Sequence, residues 1–131
     1  MNQSKQAILD LSAENGSTRL AAAMTLGIHP DPATADLLIA RCAEERDFYV
    51  RDTLTWALTR LPVEVTVPRL LHELVSDNAQ ARSQALHTLS KLRQPETWPA
   101  ITRALLLDAD DEVARSAWRA APVVSKRRGH R

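Results

Sequence analysis

Few side chains in this sequence stand in a pattern that performs chemistry. The adjacent His72-Glu73 and the separate His87 have metal-ligand character, but a solvated helix face and a turn-packed imidazole account for them without an ion. No HExxH, no Gly-rich phosphate loop and no paired-cysteine metal spacing occurs along the chain. Cys42 is the one cysteine. It shares a repeat position with leucines, and a reactive thiol needs exposure and a nearby positive charge to form thiolate, so it reads as a small buried hydrophobe. Ser-His-Asp sets assembled from scattered residues have no fold-specific spacing behind them. The expectation is therefore a protein with no catalytic residue, no metal and no cofactor, and not an enzyme. A different group suits binding: Arg69, His72 and Arg103 with Leu37 and Leu107, provided that helices bring them onto one face.

A repeat supplies those helices. Arg19, Arg51, Arg82 and Arg115 are separated by 32, 31 and 33 residues, and four residues before each stands Asn15, Asp47, Asn78 or Asp111. Such side chains accept hydrogen bonds from the free N–H groups of a first helical turn, so each marks a helix start. Thr34, Thr66 and Thr97 are expected to open a second helix in each unit, and Leu26, Leu58 and Leu89 recur inside the first. Pro30, Pro32, Pro62 and Pro95 stop the first helix by removing a donor and restricting the residue before them. Pro68 and Pro99 fit a first turn, where the missing N–H costs nothing.

The spacing thus predicts first (A) helices at about 16–27, 47–60, 78–91 and 111–121, and second (B) helices at about 34–45, 66–76 and 97–107. A leading helix at 3–13 buries Ile8 and Leu11 and caps the stack. Three position sets form the B-helix core: Leu38, Leu70 and Ile101; Cys42, Leu74 and Leu105; Ala43, Val75 and Leu106. Composition agrees. Three glycines with one Phe and one Tyr are too few for hairpins and strands, whereas Ala and Leu dominate. Apolar runs such as Val67 to Leu71 fall far short of the ~20 residues that span a bilayer. A cytoplasmic, soluble protein with no membrane partner and no secretory leader is the expectation.

The run Asp47, Val50-Arg51, Leu54, Ala57-Leu58, Leu61-Pro62, followed by Ala81-Arg82, Ala85-Leu86 and Leu89, resembles the short HEAT repeats of small bacterial proteins related to phycobilisome-lyase repeats. The resemblance covers roughly residues 15–121. It implies an all-α fold, an α-solenoid of about three and a half HEAT-like helix pairs, with each repeated Arg paired to a carboxylate of a neighbouring repeat. Asn at 15 and 78 departs from that pattern, as does a fourth repeat that stops after one helix. The units expected are a cap helix (1–14), repeats at 15–45, 46–76 and 77–109, a half repeat (110–124) and a tail (125–131). Some HEAT-like proteins are enzymes. Deoxyhypusine hydroxylase carries several His-Glu pairs for a di-iron centre against one here, and HEAT-like DNA glycosylases set aromatics beside a carboxylate on a basic face. Trp56, Trp98 and Trp118 with Asp52 invite the latter comparison, but the basic stripe is missing, and tryptophans so placed are expected to fill gaps between repeats.

B helices usually line the inner side of such stacks. Outward positions there carry Leu37, then Arg69 and His72, then Arg103 and Leu107, a cationic and apolar groove suited to an acidic peptide or a helix of a partner protein. The function expected is a non-catalytic interaction scaffold. The alternative is electrostatic. Residues up to 125 hold sixteen acidic and thirteen basic groups, whereas Lys126, Arg127, Arg128 and Arg131 crowd the last six positions and would tether the protein to nucleic acid. Self-association through the unfinished C-terminal end is a further route to assembly.

Overall fold

The computed structural model describes residues 3–125. The basic group Lys126, Arg127, Arg128 and Arg131, on which the nucleic-acid reading rests, lies outside the described residues. Eight α-helices and two 3₁₀ turns occupy the described chain, with no strand among those residues. A leading helix α1 (Gln3–Asp10) packs on α2 (Gly16–Ile28). Then α4 (Phe48–Thr59), α6 (Ala79–Leu92) and α8 (Asp111–Ser125) continue the A row, each beside the one before. The B row holds α3 (Ala35–Glu44), α5 (Val63–Glu73), and a 3₁₀ turn (Pro95–Ala100) followed by the one-turn α7 (Arg103–Leu106).

The caps explain the A row. The side chains of Asn15, Asp47 and Asn78 accept the backbone N–H of Thr18, of Tyr49 and Val50, and of Ala81. The fourth start is displaced by one residue: Asp110, not Asp111, takes the N–H groups of Glu112 and Val113 at 3.0 and 3.1 Å. Ala114 therefore occupies the anchor place, with its N–H on Asp110 O just as the N–H groups of Arg19, Arg51 and Arg82 rest on Asn15, Asp47 and Asn78. Arg115 is thus not a repeat anchor. It is exposed and pairs within its own helix with Glu112.

The second helices depart further from expectation. Thr34, Thr66 and Thr97 are buried, and each hydroxyl donates backwards to a carbonyl three or four residues earlier, on Asp31, Pro62 and Gln94 at 2.7, 3.5 and 2.6 Å. They plug the turn rather than cap the helix. Helix α5 consequently begins at Val63, and Pro68 stands inside it rather than in the first turn. The third B helix is broken. Arg93 adopts the left-handed conformation (φ 56°), the chain enters Pro95, and Pro99 brings no N–H for a continuing ladder, so the 3₁₀ turn ends at Ala100. Thr102 then caps α7 through its hydroxyl.

The core joins both rows. Leu26, Leu58, Leu70, Leu74, Leu89, Ile101 and Leu105 are all buried, as the repeat register requires. Two apolar expectations fail. Val75 is 78% exposed because α5 ends at Glu73 and the chain has left the core by then, and Ile8 is exposed while Ala7 and Leu11 take the inner side of the leading segment. In α2, Gly27 is demanded by tertiary contact. A Cβ there would fall 2.1 Å from Trp56 Cζ3, and Arg60, stacked on the same indole at 5.9 Å, donates to Gly27 O.

Candidate binding surfaces

On the B row the five residues singled out from sequence have distinct settings. Arg69 forms an ion pair with Asp36 of α3 and donates to Val65 O, so it bridges α3 and α5 while remaining half exposed. His72 is exposed on α5, and Leu37 is half buried against the core. Arg103 and Leu107 do not extend a continuous helix: Arg103 begins the single turn of α7 and Leu107, 64% exposed, follows it. No hydrogen bond or ion pair joins Arg103 to Arg69 or His72 among the described residues. Beside Leu107 stands Trp118 of α8, 60% exposed, its indole N–H held by Leu106 O at 3.0 Å. This tryptophan fills no gap. Trp98, by contrast, packs partly buried against the core, and Trp56 lies over Gly27.

A second surface lies on the A row, along the seam between α4 and α6. One cavity of about 150 Å³ is lined by residues that include Phe48, Arg51, Asp52, Gln84, His87 and Arg119. An adjoining space of about 250 Å³ is lined by Arg51, Gln80, Gln84 and Asp110 among others, and a third of about 240 Å³ by Asp52, Trp56 and Lys91. Burial holds the His87 imidazole below its ordinary pKa, with Lys91 and Arg119 acting in the same sense and Asp52, 4.0 Å away, opposing them. His87 is therefore mainly neutral near pH 7. His87 and the His72-Glu73 pair sit on different rows, α6 and α5.

Cys42 is buried, and burial pushes its thiol up to about 12, the inert setting expected of a core residue. Glu45 is the buried charge that sequence reasoning passed over. Burial by itself would raise its carboxyl, but the Arg19 hydrogen bonds, the Asp47 N–H and the charges of Arg19 and Arg41 outweigh that and hold it low. The signal was present in the sequence. Glu45 and Asp108 each stand two residues before the next A-helix cap, and each receives the anchor arginine of its own unit (15–45 and 77–109), not that of a neighbouring repeat as the resemblance implied.

No protein-family model matches this sequence, and no curated protein matches it. Solved structures do. The complex of CpcE and CpcF of phycocyanin lyase from a Nostoc species shares the fold with a TM-score of 0.56 at 21% identity, over 96% of this chain. An engineered protein gives a TM-score of 0.50 at 20% identity over 95% of this chain. The chain spans 55% of the length of the first and 63% of the second. These likenesses show the fold, which is that of the HEAT-repeat lyase subunits, as the repeat pattern implied. They also correct the expectation that the protein is not an enzyme: its architecture is shared with a lyase complex, so a helical-repeat stack short of familiar catalytic motifs is no argument against catalysis. Among the described residues no helix is long and apolar enough to cross a membrane. The chain is a helical-repeat protein of the α-solenoid class.

Proposed function

We propose that this chain binds a partner polypeptide, an acidic peptide or helix, across the B row, with Leu37, Arg69, His72, Arg103 and Leu107 as contacts. The observation that carries this reading is Trp118, its indole fixed by its bond to the carbonyl of Leu106, the residue next to Leu107, with both Trp118 and Leu107 left largely in solvent. A rigid aromatic anchor of this kind loses little freedom when covered, which is why such residues dominate binding energy at interfaces. Arg103, at the start of α7, has no ion pair among the described residues and offers a fork to an incoming carboxylate. That the lyase structure is a complex of two subunits supports partnering in general.

The same likeness favours a second reading, in which the chain is one component of a lyase-like, partner-dependent enzyme, and holding a polypeptide is its share of the work. The two differ in what the partnered protein does after binding. The test of the binding surface is partner capture from native lysate by the full chain. Charge reversal at Arg69 and Arg103 together should abolish it with only a modest fall in melting temperature, since Arg103 is exposed and the Arg69–Asp36 ion pair that is lost is half exposed and solvent-screened. Trp118→Ala should weaken it by at least ~10-fold. Undiminished capture by the double variant would move the site off the B row.

A further inference from the structure

Arg19, Arg51 and Arg82 occupy one position in three successive A helices. Each sends Nη1 to the carbonyl two residues before its own cap: Ala13 O at 2.8 Å, Glu45 O at 2.9 Å and Ser76 O at 2.8 Å. The remainder of the fork differs. Arg19 holds Glu45 through Nε and Nη2 at 2.8 and 3.1 Å, and Arg82 holds Asp108 at 3.1 Å through both. Each of these acids also accepts the N–H of the next cap residue, Asp47 at 3.0 Å and Asp110 at 2.9 Å.

At the middle rung that place belongs to Ser76. Its hydroxyl accepts the Asn78 N–H at 3.0 Å, as the acids do for their caps, but it carries no charge and cannot span to a guanidinium. The cap is neutral as well, Asn78 in place of Asp47 and Asp110. The repeat is one residue shorter here, so Asp77, which keeps the 26-residue separation seen in the outer pairs, is exposed and forms no ion pair among the described residues. Among the described residues no carboxylate pairs with Arg51.

Arg51 instead borders two cavities, of about 150 and 250 Å³, both also lined by Gln84, whose amide has no hydrogen-bond partner among the described residues. Phe48 offers an apolar wall and Arg119 a second cation in the first of them. The acids of the same walls are Asp52, Asp110 and Glu112: Asp52 and Glu112 have side chains 59% and 56% exposed, where water screens them, Glu112 is engaged by Arg115, and the exposed Asp110 is occupied as the cap of α8. Nη1 is already fixed by backbone carbonyls on Glu45 and Arg46, so the guanidinium is oriented before any ligand arrives.

We propose that the α4–α6 seam is a carboxylate-binding site, in which Arg51, with Gln84 beside it, takes from outside the chain the carboxylate that Glu45 and Asp108 supply internally to the other two rungs. The carboxylate comes either from an acidic side chain of a peptide or from a small free acid; the chemistry recognised is the same. The site lies on the A row and does not rest on the B-row reading.

The test follows the arginine side-chain Nε–Hε resonances of the isotope-labelled full chain during titration with glutarate, with a blocked Glu-containing tripeptide, and with chloride at matched ionic strength. Arg51 should shift saturably, half-way at on the order of 1–10 mM for a single charge-assisted fork, while Arg19 and Arg82 stay put. Half-saturation at least ~10-fold lower for the tripeptide assigns the carboxylate to a peptide; equal or tighter binding of glutarate assigns it to a small acid. Ser76→Glu, which restores the internal acid, should raise the melting temperature and remove the Arg51 shift, whereas Arg69→Glu with Arg103→Glu should leave it intact. No Arg51 shift with either acid, an equal shift with chloride, or a shift of full size in a folded Ser76→Glu variant would each overturn the proposal.

Discussion

Two seams of this stack are closed by charge and one by amides, although all three begin from the same cap and the same arginine. At the first seam Glu45 is fully buried and gathers Arg19, the Asp47 N–H and, at 3.4 Å, Arg41. At the last, Asp108 repeats the arrangement with Arg82 and Asp110. Between them, α6 reaches back to the C-terminal carbonyls of α3. Gln80 donates to Cys42 O at 2.9 Å and Glu45 O at 2.7 Å, and Asn78 donates to Ala43 O. Helices α4 and α6 touch over less of their length than α2 and α4 or α6 and α8, and the cavities lie in the space that leaves. A repeat can thus keep its fold while changing what closes it, because the side-chain caps at Asn15, Asp47, Asn78 and Asp110 fix each helix start and the side chain two residues earlier is free to vary.

Removing the buried acid should have the largest effect. Glu45→Ala leaves the Arg19 fork and Arg41 Nε, whose partner is the Glu45 carboxylate at 3.4 Å, without that anion, and the melting temperature should fall by on the order of 10 °C. A fall no larger than that from Ser76→Ala would erase the distinction between the seams. Gln80→Ala, at the amide seam, should cost about 1–2 kcal/mol in denaturant unfolding, the usual penalty for two carbonyls losing a donor where water partly replaces it. Equal costs for Glu45→Ala and Gln80→Ala would mean that charge adds nothing over neutral hydrogen bonding here.

Acid sharpens the same contrast. The carboxyls of Asp108 and Glu45 are both held low, the first chiefly by its Arg82 hydrogen bonds and the Asp110 N–H. The unfolded chain therefore binds these protons more readily, so their stabilisation is fully present above the unfolded values near pH 4 and is lost as pH falls through the lower folded values. Acid unfolding below about pH 4 should be blunted in Asp108→Asn and unaltered in Ser76→Ala. His87 contributes in the same direction but least. Its folded pKa is depressed by burial, so its small contribution is present above about pH 6.5 and fades as pH drops below that. An NMR titration should place its midpoint below that of a free imidazole, and a midpoint above it would mean that Asp52 outweighs burial.

Much of the architecture was legible because it is local. Caps three residues from their N–H partners, prolines that end helices and leucines at a fixed spacing are short-range facts, and the buried set at Leu58, Leu70, Leu74, Leu89, Ile101 and Leu105 follows from them. Legibility failed where two local solutions were nearly equal. Asp110 and Asp111 are adjacent acids and either could cap, and choosing the second made Arg115 look like an anchor when Ala114 holds that place. The threonines read as caps because a hydroxyl both donates and accepts, and the sequence does not say which way it turns. Of the surfaces, the B-row residues were named from periodicity alone. The α4–α6 seam was missed, since Ser76 looks unremarkable until Glu45 and Asp108 are seen to hold arginines.

The sequence by itself determined that the chain is a stack of helix pairs, where most helices begin, and which leucines turn inward, consequences of cap hydrogen bonds within one turn and of a side-chain pattern that recurs every 31 to 33 residues. Only the tertiary structure decided that Gly27 makes room for Trp56, that Trp118 stays in solvent, and that Arg51 alone of three equivalent arginines lacks a carboxylate among the described residues. Those depend on where residues some 12 to 33 positions away come to rest. That separation is set by how neighbouring repeats pack, and no local propensity encodes it.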